Sequence, residues 1–346
     1  MVEVLQSQAD ASWADDFHSL VGKERVAQLR ATMRAVVYDR FGSPEVLRLT
    51  SVRTPTPTSN QLLIRTHFVS VNPIDVRLRR GEFRWLLWNH RFPRMTGHDL
   101  SGEIMIAPTD SGFLPGDRVM AFTGNIIGDT CADYVVCPPH CAVKLPDAID
   151  LVDAASLPLA GVTAIQCLLG IAKISDRQRV LINGASGGVG SLAVQVALSV
   201  GARVTAVASA SREPFLRSLG VDHFIDYTST DFLSSGNTWH VIFDVKGNRR
   251  FRDCRFALEP GGQFVSTEPS LKGIWAKVCT ALSNRRCSVM LARPRQSDLR
   301  KLVELIKQNK LKCFLDSVHP VSEAAAAHQR LEQGVEKGKV IIGPFV

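Results

Sequence analysis

The chain has 346 residues, 45% of them hydrophobic and 21% charged, and a formal net charge of +8. This length allows two domains with separate cores, and the composition is that of a soluble globular protein, not of a disordered or fibrous one. The most apolar stretch, residues 151–172, is interrupted by Asp153, Pro158 and Gln166, which excludes a membrane span there.

Residues 1–32 are predicted to form a polar N-terminal extension. Phe17, Leu20 and Val21 have helical spacing within it. No signal peptide is recognisable, and the extension is too acidic for a transit peptide because it carries the carboxylates of Glu3, Asp10, Asp15, Asp16 and Glu24. The expected location is therefore cytoplasmic.

From Met33 to Pro146 the sequence consists of short apolar segments separated by glycine and proline. This spacing predicts an all-β barrel or sandwich. The predicted strands are Met33–Tyr38, Glu45–Ser51, Gln61–Ser70 and Cys131–Cys137.

The densest positive stretch is Arg77–Arg94, in which arginines alternate with Trp85, Trp88 and two phenylalanines. Such a stretch can form a nucleic-acid surface or an entrance for anionic substrates. A solvated face over an apolar helix is the preferred interpretation, and no nucleic-acid partner is expected.

The eight cysteines include no Cys-x-x-Cys pair. Cys131, Cys137, His140 and Cys141 lie close in sequence, but their spacing does not suit a zinc site. The thiols are typical of small core residues in a reducing compartment.

Beyond Asp150 apolar strands alternate with helical patterns. This alternation predicts an α/β fold with a Rossmann doubly wound parallel sheet. The predicted helices are residues 151–157, 161–172, 189–200, 212–219, 248–258, 297–309 and 324–333. The predicted strands are residues 180–182, 203–208, 223–226, 240–244, 262–267 and 339–342.

The first strand–helix connection of this region fits a dinucleotide-binding fingerprint. A buried strand over Val180–Ile182 leads into Ala185-x-Gly187-x-x-Gly190, and a helix follows. Gly187 would let the backbone approach a pyrophosphate, and Gly190 would let the helix pack on the strand. The candidate cofactor-binding residues of this turn are Ala185, Ser186, Gly187, Gly188, Val189 and Gly190.

The end of the next strand indicates which dinucleotide is used. An enzyme specific for NAD usually places an acid there to hold the ribose hydroxyl, whereas this chain has Ser209, Ser211 and Arg212. The serines can donate hydrogen bonds to a 2′-phosphate and Arg212 can neutralise it. The alternative is that Arg212 is a solvated charge at a helix start. NADPH is the predicted cofactor.

Six motifs resemble the medium-chain dehydrogenase/reductase superfamily, and the resemblance covers nearly everything after Met33. They are residues 71–75 (VNPID), 97–102 (GHDLSG), 115–119 (PGDRV), 157–164 (LPLAGVTA), 185–190 (ASGGVG) and 338–342 (GKVII). The branch that the chain resembles is that of the zinc-independent quinone oxidoreductases. The resemblance implies a GroES-like catalytic domain over 33–155, completed by 311–346, and a Rossmann NADP-binding domain over 156–310.

The resemblance also implies roles for single residues. Asn72 and Asp75 would line the nicotinamide cleft, although capping of the turn after a strand is an equally good interpretation of both. Thr163 would contact the nicotinamide. Tyr227 would pack against the adenosine 2′-phosphate, or else be an ordinary aromatic residue at a strand end.

Zinc-dependent members of the superfamily have cysteines where this chain has Asn72 and Ala160, and a histidine at His98. A single imidazole cannot hold a catalytic zinc, which needs three protein ligands. No metal is expected, and a hydrogen-bonded structural role is preferred for His98.

The predicted function is hydride transfer from NADPH to a quinone or an α,β-unsaturated carbonyl. A catalytically weak NADPH-binding scaffold or regulator is one alternative, and RNA binding through Arg77–Arg94 is a weaker one. Enoyl-thioester reduction is disfavoured because Phe83 stands where related reductases have a tyrosine acid. By analogy with the family, a homodimer could form through an edge strand at Cys287–Ala292. The same analogy gives a mitochondrial location as the alternative to the cytoplasmic one, although no transit peptide is recognisable.

Overall fold

A computed structural model describes residues 30–85, 87–268, 271–280 and 283–345. The chain divides into two compact units. The first comprises residues up to Ala155, Val318–Gln333 and the residues from Ile341 onward, and the second comprises Ser156–Ser317 and Gly334–Val340. The segment expected to complete the first domain, residues 311–346, is thus shared between the units. Most of the predicted N-terminal extension lies outside the described residues.

Sixteen strands are assigned within the described residues. They are β1 (Thr32–Tyr38), β2 (Leu47–Arg53), β3 (Leu62–Val71), β4 (Arg94–Met95), β5 (Asp99–Ile106), β6 (Arg118–Phe122), β7 (Tyr134–Cys137), β8 (Ala142–Lys144), β9 (Arg179–Asn183), β10 (Arg203–Ala208), β11 (His223–Asp226), β12 (Trp239–Asp244), β13 (Leu258–Ser266), β14 (Arg286–Val289), β15 (Leu315–His319) and β16 (Lys339–Ile342).

The helices assigned in the same part of the chain are α1 (Pro73–Arg80), α2 (Leu151–Ala154), α3 (Pro158–Ile165), α4 (Gly188–Ser199), α5 (Glu213–Ser218), α6 (Phe251–Cys254), α7 (Leu271–Cys279), α8 (Gln296–Lys307) and α9 (Ala324–Gln333). A π-helical turn, Gln166–Ile171, continues α3. None of these helices is long and apolar enough to cross a bilayer.

The first unit is β-rich, as predicted. One sheet has the order β2-β1-β4, and a second contains β3, β5, β6 and β8 in this order, with β7 also pairing β3. Its β3, β5, β6 and β8 strands pair antiparallel. Helix α1 follows β3 directly, with Pro73 at its start and Gly81 in the left-handed conformation after its end.

The second unit has a six-stranded parallel sheet in the order β11-β10-β9-β12-β13-β14. Counted within the unit, this is the order 3-2-1-4-5-6 of a doubly wound Rossmann fold. The predicted α/β class is confirmed. Ligands of such folds bind at the carboxyl ends of the strands where the order reverses, which here is the edge shared by β9 and β12.

The bounds of several elements differ from the sequence prediction for local reasons. The predicted helix 151–157 ends at Ala154, because Pro158 restricts the residue before it and begins a separate helix. The predicted helix 248–258 is only α6 with one 3₁₀ turn, since β13 begins at Leu258, where it pairs with Trp239 of β12. Helix α9 and strand β16 have the predicted bounds.

Candidate functional site

The glycine turn between β9 and α4 is fixed by backbone hydrogen bonds. The N–H groups of Gly184 and Ala185 both donate to the carbonyl oxygen of Val207 at 3.1 Å, which ties the turn to the end of β10. Gly187 is the residue before the first turn of α4, so the unpaired N–H groups of a 12-residue helix begin here. The turn therefore leads into a helix start of the kind that can bind an anion, and binding of a pyrophosphate there stays a prediction.

The glycines of this turn have different surroundings. A Cβ atom on Gly190 would lie 2.1 Å from the carbonyl oxygen of Gly184, so only glycine allows α4 to pack this closely on the turn. A Cβ atom on Gly187 would have the same oxygen, at 3.9 Å, as its nearest neighbour within 4 Å. The backbone of Gly187 thus leaves space on its side-chain face, where a pyrophosphate can approach. This geometry fits a dinucleotide.

A C-terminal segment also borders the glycine turn. Gly338 pairs with Gly187 in a parallel bridge, and its N–H donates to the carbonyl oxygen of Ser186 at 3.3 Å. The buried Lys339 side chain packs on Gly188, where an added Cβ would lie 2.5 Å from Lys339 Cδ. The GKVII motif therefore supports the turn, a role that sequence spacing could not indicate.

Polar side chains order the edge where the strand order reverses. Asn183 Nδ2, at the end of β9, donates to Asp244 Oδ1 at the end of β12 and to Asn248 Oδ1, both at 2.8 Å. Burial raises the pKa of Asp244 more than its hydrogen bonds to Arg249 and Asn183 lower it. This network fixes the two central strand ends beside the glycine turn.

The predicted 2′-phosphate residues lie together after β10. Ser209 and Ser211 have their hydroxyl oxygens 3.2 Å apart, and the N–H of Arg212 donates to the carbonyl oxygen of Ser209 at 2.9 Å. The Arg212 side chain is 27% exposed, and its Nη1 lies 3.9 Å from Glu336 Oε2. Sequence analysis missed Glu336, because it is more than 120 residues away and carries no local signal.

Tyr227 follows β11 at the same edge of the sheet. Its N–H donates to the carbonyl oxygen of Ala208 at 3.1 Å, and its side chain is 59% exposed. The neighbouring carboxylate of Asp226 accepts hydrogen bonds from the N–H groups of Ala210 and Thr228. The hydrogen bond from the Thr228 N–H is the main reason that the pKa of Asp226 is lowered. The chain thus has a second acid near the predicted phosphate residues.

Thr163 lies within α3 and is buried. Its hydroxyl donates to the carbonyl oxygen of Leu159 at 2.7 Å, which leaves the oxygen's lone pairs to accept a hydrogen bond. Contact of this residue with a nicotinamide stays a prediction.

Asn72 and Asp75 lie in the first unit, where both are buried at the start of α1. Asp75 Oδ2 accepts the N–H of Asn72 at 2.7 Å, and Asp75 Oδ1 accepts the N–H of Gly97 at 3.0 Å. Asn72 Nδ2 donates to Asp99 Oδ1 at 3.1 Å. The capping interpretation that the sequence left open is therefore realised, and a role in lining the cleft stays a prediction.

His98 is part of the same buried cluster. Its Nδ1 lies 2.6 Å from Asp75 Oδ1. Burial opposes charge on both groups, yet their mutual attraction and hydrogen bond outweigh it, so the pKa of His98 is raised and the pKa of Asp75 is lowered. The pair joins the first turn of α1 to the residue that precedes β5.

His328, on α9, is a second buried histidine, and its pKa is shifted in the opposite direction to that of His98. Its Nδ1 has no hydrogen-bond partner in the described residues, and it borders a small cavity with Asp75, Thr96 and Cys131. Burial lowers the pKa of His328 to about 4, more than the Asp75 carboxylate raises it. The folded state therefore keeps His328 neutral.

The low pKa of His328 predicts acid destabilisation. The unfolded chain binds a proton at the ordinary pKa of 6.5, whereas the folded chain does not until about pH 4, so stability is lost as pH falls through this interval. Between pH 7 and pH 5 the wild-type protein should lose about 2 kcal/mol more unfolding free energy than His328→Gln, because glutamine does not bind a proton in the unfolded chain. Urea unfolding of both proteins at each pH measures the difference, and parallel curves would contradict it.

Two family models match the chain. The alcohol dehydrogenase GroES-like domain matches residues 58–147, and the zinc-binding dehydrogenase domain matches residues 219–342. A chloroplast envelope quinone oxidoreductase homolog of Arabidopsis thaliana is 30% identical over 325 residues, which are 90% of this chain and 98% of the relative. A mitochondrial NAD(P)H oxidoreductase of Mus musculus is 31% identical over 90% of this chain and 89% of its own length.

The chain belongs to the medium-chain dehydrogenase/reductase family. Among solved structures, the quinone oxidoreductase from Coxiella burnetii is 32% identical, covers 90% of this chain and 99% of its own, and superposes with a TM-score of 0.83. The CurK enoyl reductase is 26% identical over 91% of this chain and 99% of its own, with a TM-score of 0.80. The recognised family and its two domain types are confirmed, and the chain is an oxidoreductase with a nicotinamide cofactor and a small-molecule substrate.

The described residues of this family member include no group of three or more His, Cys, Asp or Glu side chains placed to hold a metal ion. Of the three positions that bind zinc in zinc-dependent members, the one histidine, His98, is engaged with Asp75. Cys131, Cys137 and Cys141 are buried, and burial raises the pKa of all three thiols. These thiols have the surroundings of core residues.

Proposed function

We propose that this protein is a zinc-independent, NADPH-dependent oxidoreductase that transfers a hydride to a quinone or an α,β-unsaturated carbonyl. The observation that carries the proposal is the placement of Ser209, Ser211 and Arg212 after β10, with no acid at the strand end, beside a glycine turn open to a pyrophosphate. Relatives named as quinone and NAD(P)H oxidoreductases support the reaction class.

Each cofactor residue has a separate task in this proposal. The N–H groups at the start of α4 bind the pyrophosphate, which the open side of Gly187 lets approach the backbone. Arg212 and the two serine hydroxyls bind the 2′-phosphate through charge-assisted hydrogen bonds. Tyr227 packs its exposed ring against the adenosine, and the Thr163 hydroxyl, whose proton is bonded to Leu159, accepts a hydrogen bond at the nicotinamide.

Bound NADPH supplies the hydride. That hydride would add to a carbon of the quinone or enone, negative charge would develop on the carbonyl oxygen, and a proton from water would complete the reduction. The protein contributes by binding and orienting the reactants and excluding water. In this proposal Asn72 and Asp75 line the nicotinamide cleft. The Asp75 carboxylate orients Asn72 by accepting its backbone N–H, and His98 in turn holds that carboxylate in place.

Enoyl-thioester reduction remains the second candidate, because the structurally similar CurK protein is an enoyl reductase. The ring of Phe83, which stands where related reductases have a tyrosine acid, lies 4.8 Å below the Arg77 guanidinium. It has no proton to donate. Quinones and simple enones, which need no such acid from this position, are therefore the favoured substrates.

Two further expectations stay proposals. A homodimer would form through β14, which is the last strand of the parallel sheet and carries Cys287. A cytoplasmic location rests on the sequence, whereas relatives are named as chloroplastic or mitochondrial.

The test is NADPH oxidation, followed by absorbance, with a panel of benzoquinones, naphthoquinones, simple enones and enoyl thioesters. We expect turnover with quinones or simple enones, a slower rate with NADH, and no effect of metal chelators. Binding of NADPH without turnover across the panel would overturn the enzyme and favour the scaffold. Turnover restricted to enoyl thioesters would instead favour the second candidate.

A further inference from the structure

Two tryptophans in the segment after α1 are almost fully exposed. Trp85 is 72% exposed and Trp88 is 83% exposed, while Phe92, four residues further on, is 38% exposed. Arg84 and Arg91 flank them and are also exposed. We call these five residues the Trp/Arg surface. The cofactor site makes no use of them.

The backbone below this surface is held in place. The N–H of Leu87 donates to the carbonyl oxygen of Phe83 at 3.1 Å, and the Leu87 side chain is buried. The buried Arg94 donates to the carbonyl oxygen of Leu87 at 3.0 Å and to that of His90. Its guanidinium also stacks on Phe92, 4.6 Å from the ring centroid. The segment has an anchored inner side, so the two indoles are presented outward.

The charge of the surface is one-sided. Glu82, the acid of this segment, pairs with Arg77 at 2.6 Å, and Arg80 pairs with Glu332 at 2.9 Å. No carboxylate of the described residues pairs with Arg84 or Arg91. Two cations therefore stay available beside the indoles, and their complement is an anionic surface.

The dimensions of the surface favour a membrane over a protein partner. Two exposed indoles offer roughly 350 Å² of contact area, whereas each partner of a stable protein interface buries about 800 Å². Tryptophan is enriched at the boundary between lipid headgroups and acyl chains, and arginines beside it attract anionic headgroups. We propose that the Trp/Arg surface docks the protein on the surface of an anionic lipid bilayer, without spanning it.

The test is co-flotation of the full chain with phosphatidylcholine vesicles, with and without phosphatidylserine. We expect binding to the anionic vesicles that weakens as salt rises. Trp85→Ala/Trp88→Ala abolishes it, and Arg84→Gln/Arg91→Gln lowers the partition coefficient by about 10- to 30-fold, because each basic residue near the surface contributes about a factor of five. All four side chains are exposed, so the variants should keep their melting temperature.

Matched controls are available elsewhere on the chain. Trp275→Ala removes a tryptophan that is 70% exposed, and Arg53→Gln/Arg203→Gln removes two exposed arginines. Both controls should bind the vesicles as the wild type does. Equal losses in controls and test variants, no binding to anionic vesicles, or binding to single-stranded RNA in place of vesicles would overturn the proposal. Each variant is also titrated with NADPH. Unchanged NADPH binding shows that a loss of vesicle binding does not come from damage to the cofactor site.

Discussion

Gly187→Ala is expected to weaken NADPH binding by about 30- to 150-fold while leaving the fold intact. A Cβ atom at this position would meet its nearest neighbour, the carbonyl oxygen of Gly184, at 3.9 Å, which is an ordinary contact. The methyl group would instead fill the space that a pyrophosphate needs to reach the N–H groups of α4, and losing one hydrogen bond to a charged group costs about 2–3 kcal/mol. Isothermal titration with NADPH, alongside a melting curve, measures both effects.

Gly190→Ala is the matched comparison, because it adds the same methyl group to the same turn. Here the Cβ atom would lie 2.1 Å from the Gly184 carbonyl oxygen, so α4 must move away from the turn. We expect a loss of about 3 kcal/mol in unfolding free energy. A Gly187→Ala protein that binds NADPH normally would mean that the pyrophosphate does not approach this face of the turn. Unchanged stability of Gly190→Ala would contradict the packing argument.

Arg212→Ala is expected to weaken NADPH binding by about 10- to 100-fold and to change NADH binding by less than about twofold. The guanidinium is the cation of the Ser209–Arg212 cluster, and its proposed partner, the 2′-phosphate, is present in NADPH and absent from NADH. Parallel titrations with the two cofactors isolate this contribution. An equal loss for both would show that Arg212 acts on the turn as a whole.

Glu336→Gln provides the reciprocal test at the same site. Its exposed carboxylate lies 3.9 Å from Arg212. A bound 2′-phosphate would compete with this carboxylate for the Arg212 guanidinium and would be repelled by its negative charge. Removing its charge should tighten NADPH binding by about two- to fivefold, within the range of exposed ion pairs, and leave NADH binding unchanged. Weaker NADPH binding in this variant would mean that Glu336 holds Arg212 in its productive position.

Two acids near the predicted phosphate residues reduce the preference for NADPH that the sequence alone indicates. The strand end itself carries no acid, as the sequence indicated, but tertiary structure adds Glu336, and Asp226 bonds to the N–H of Ala210. Asp226 could have been suspected, because β11 ends at the same sheet edge as β10. Two carboxylates near Arg212 therefore offset part of its positive charge. Arg212→Ala and Glu336→Gln together measure how strongly the site still favours NADPH over NADH.

Local patterns in the sequence were sufficient for the cofactor-binding half of the fold. Alternating strands and helices predicted the parallel sheet, and the glycine spacing after Ile182 predicted the turn where strand β9 leads into α4. These features depend on the conformational limits of neighbouring residues and on periodic burial, which a linear sequence records directly.

Contacts between distant segments were decided only by tertiary structure. The pairing of Gly338 with Gly187, the 3.9 Å approach of Glu336 to Arg212 and the bond between Asp75 and His98 each join positions that no local rule relates. The sequence likewise showed Trp85 and Trp88 but not that they face outward, because that depends on Arg94 anchoring the inner side of their segment. The backbone of a short segment follows from its own residues, whereas the partner of a side chain follows from how the whole chain packs.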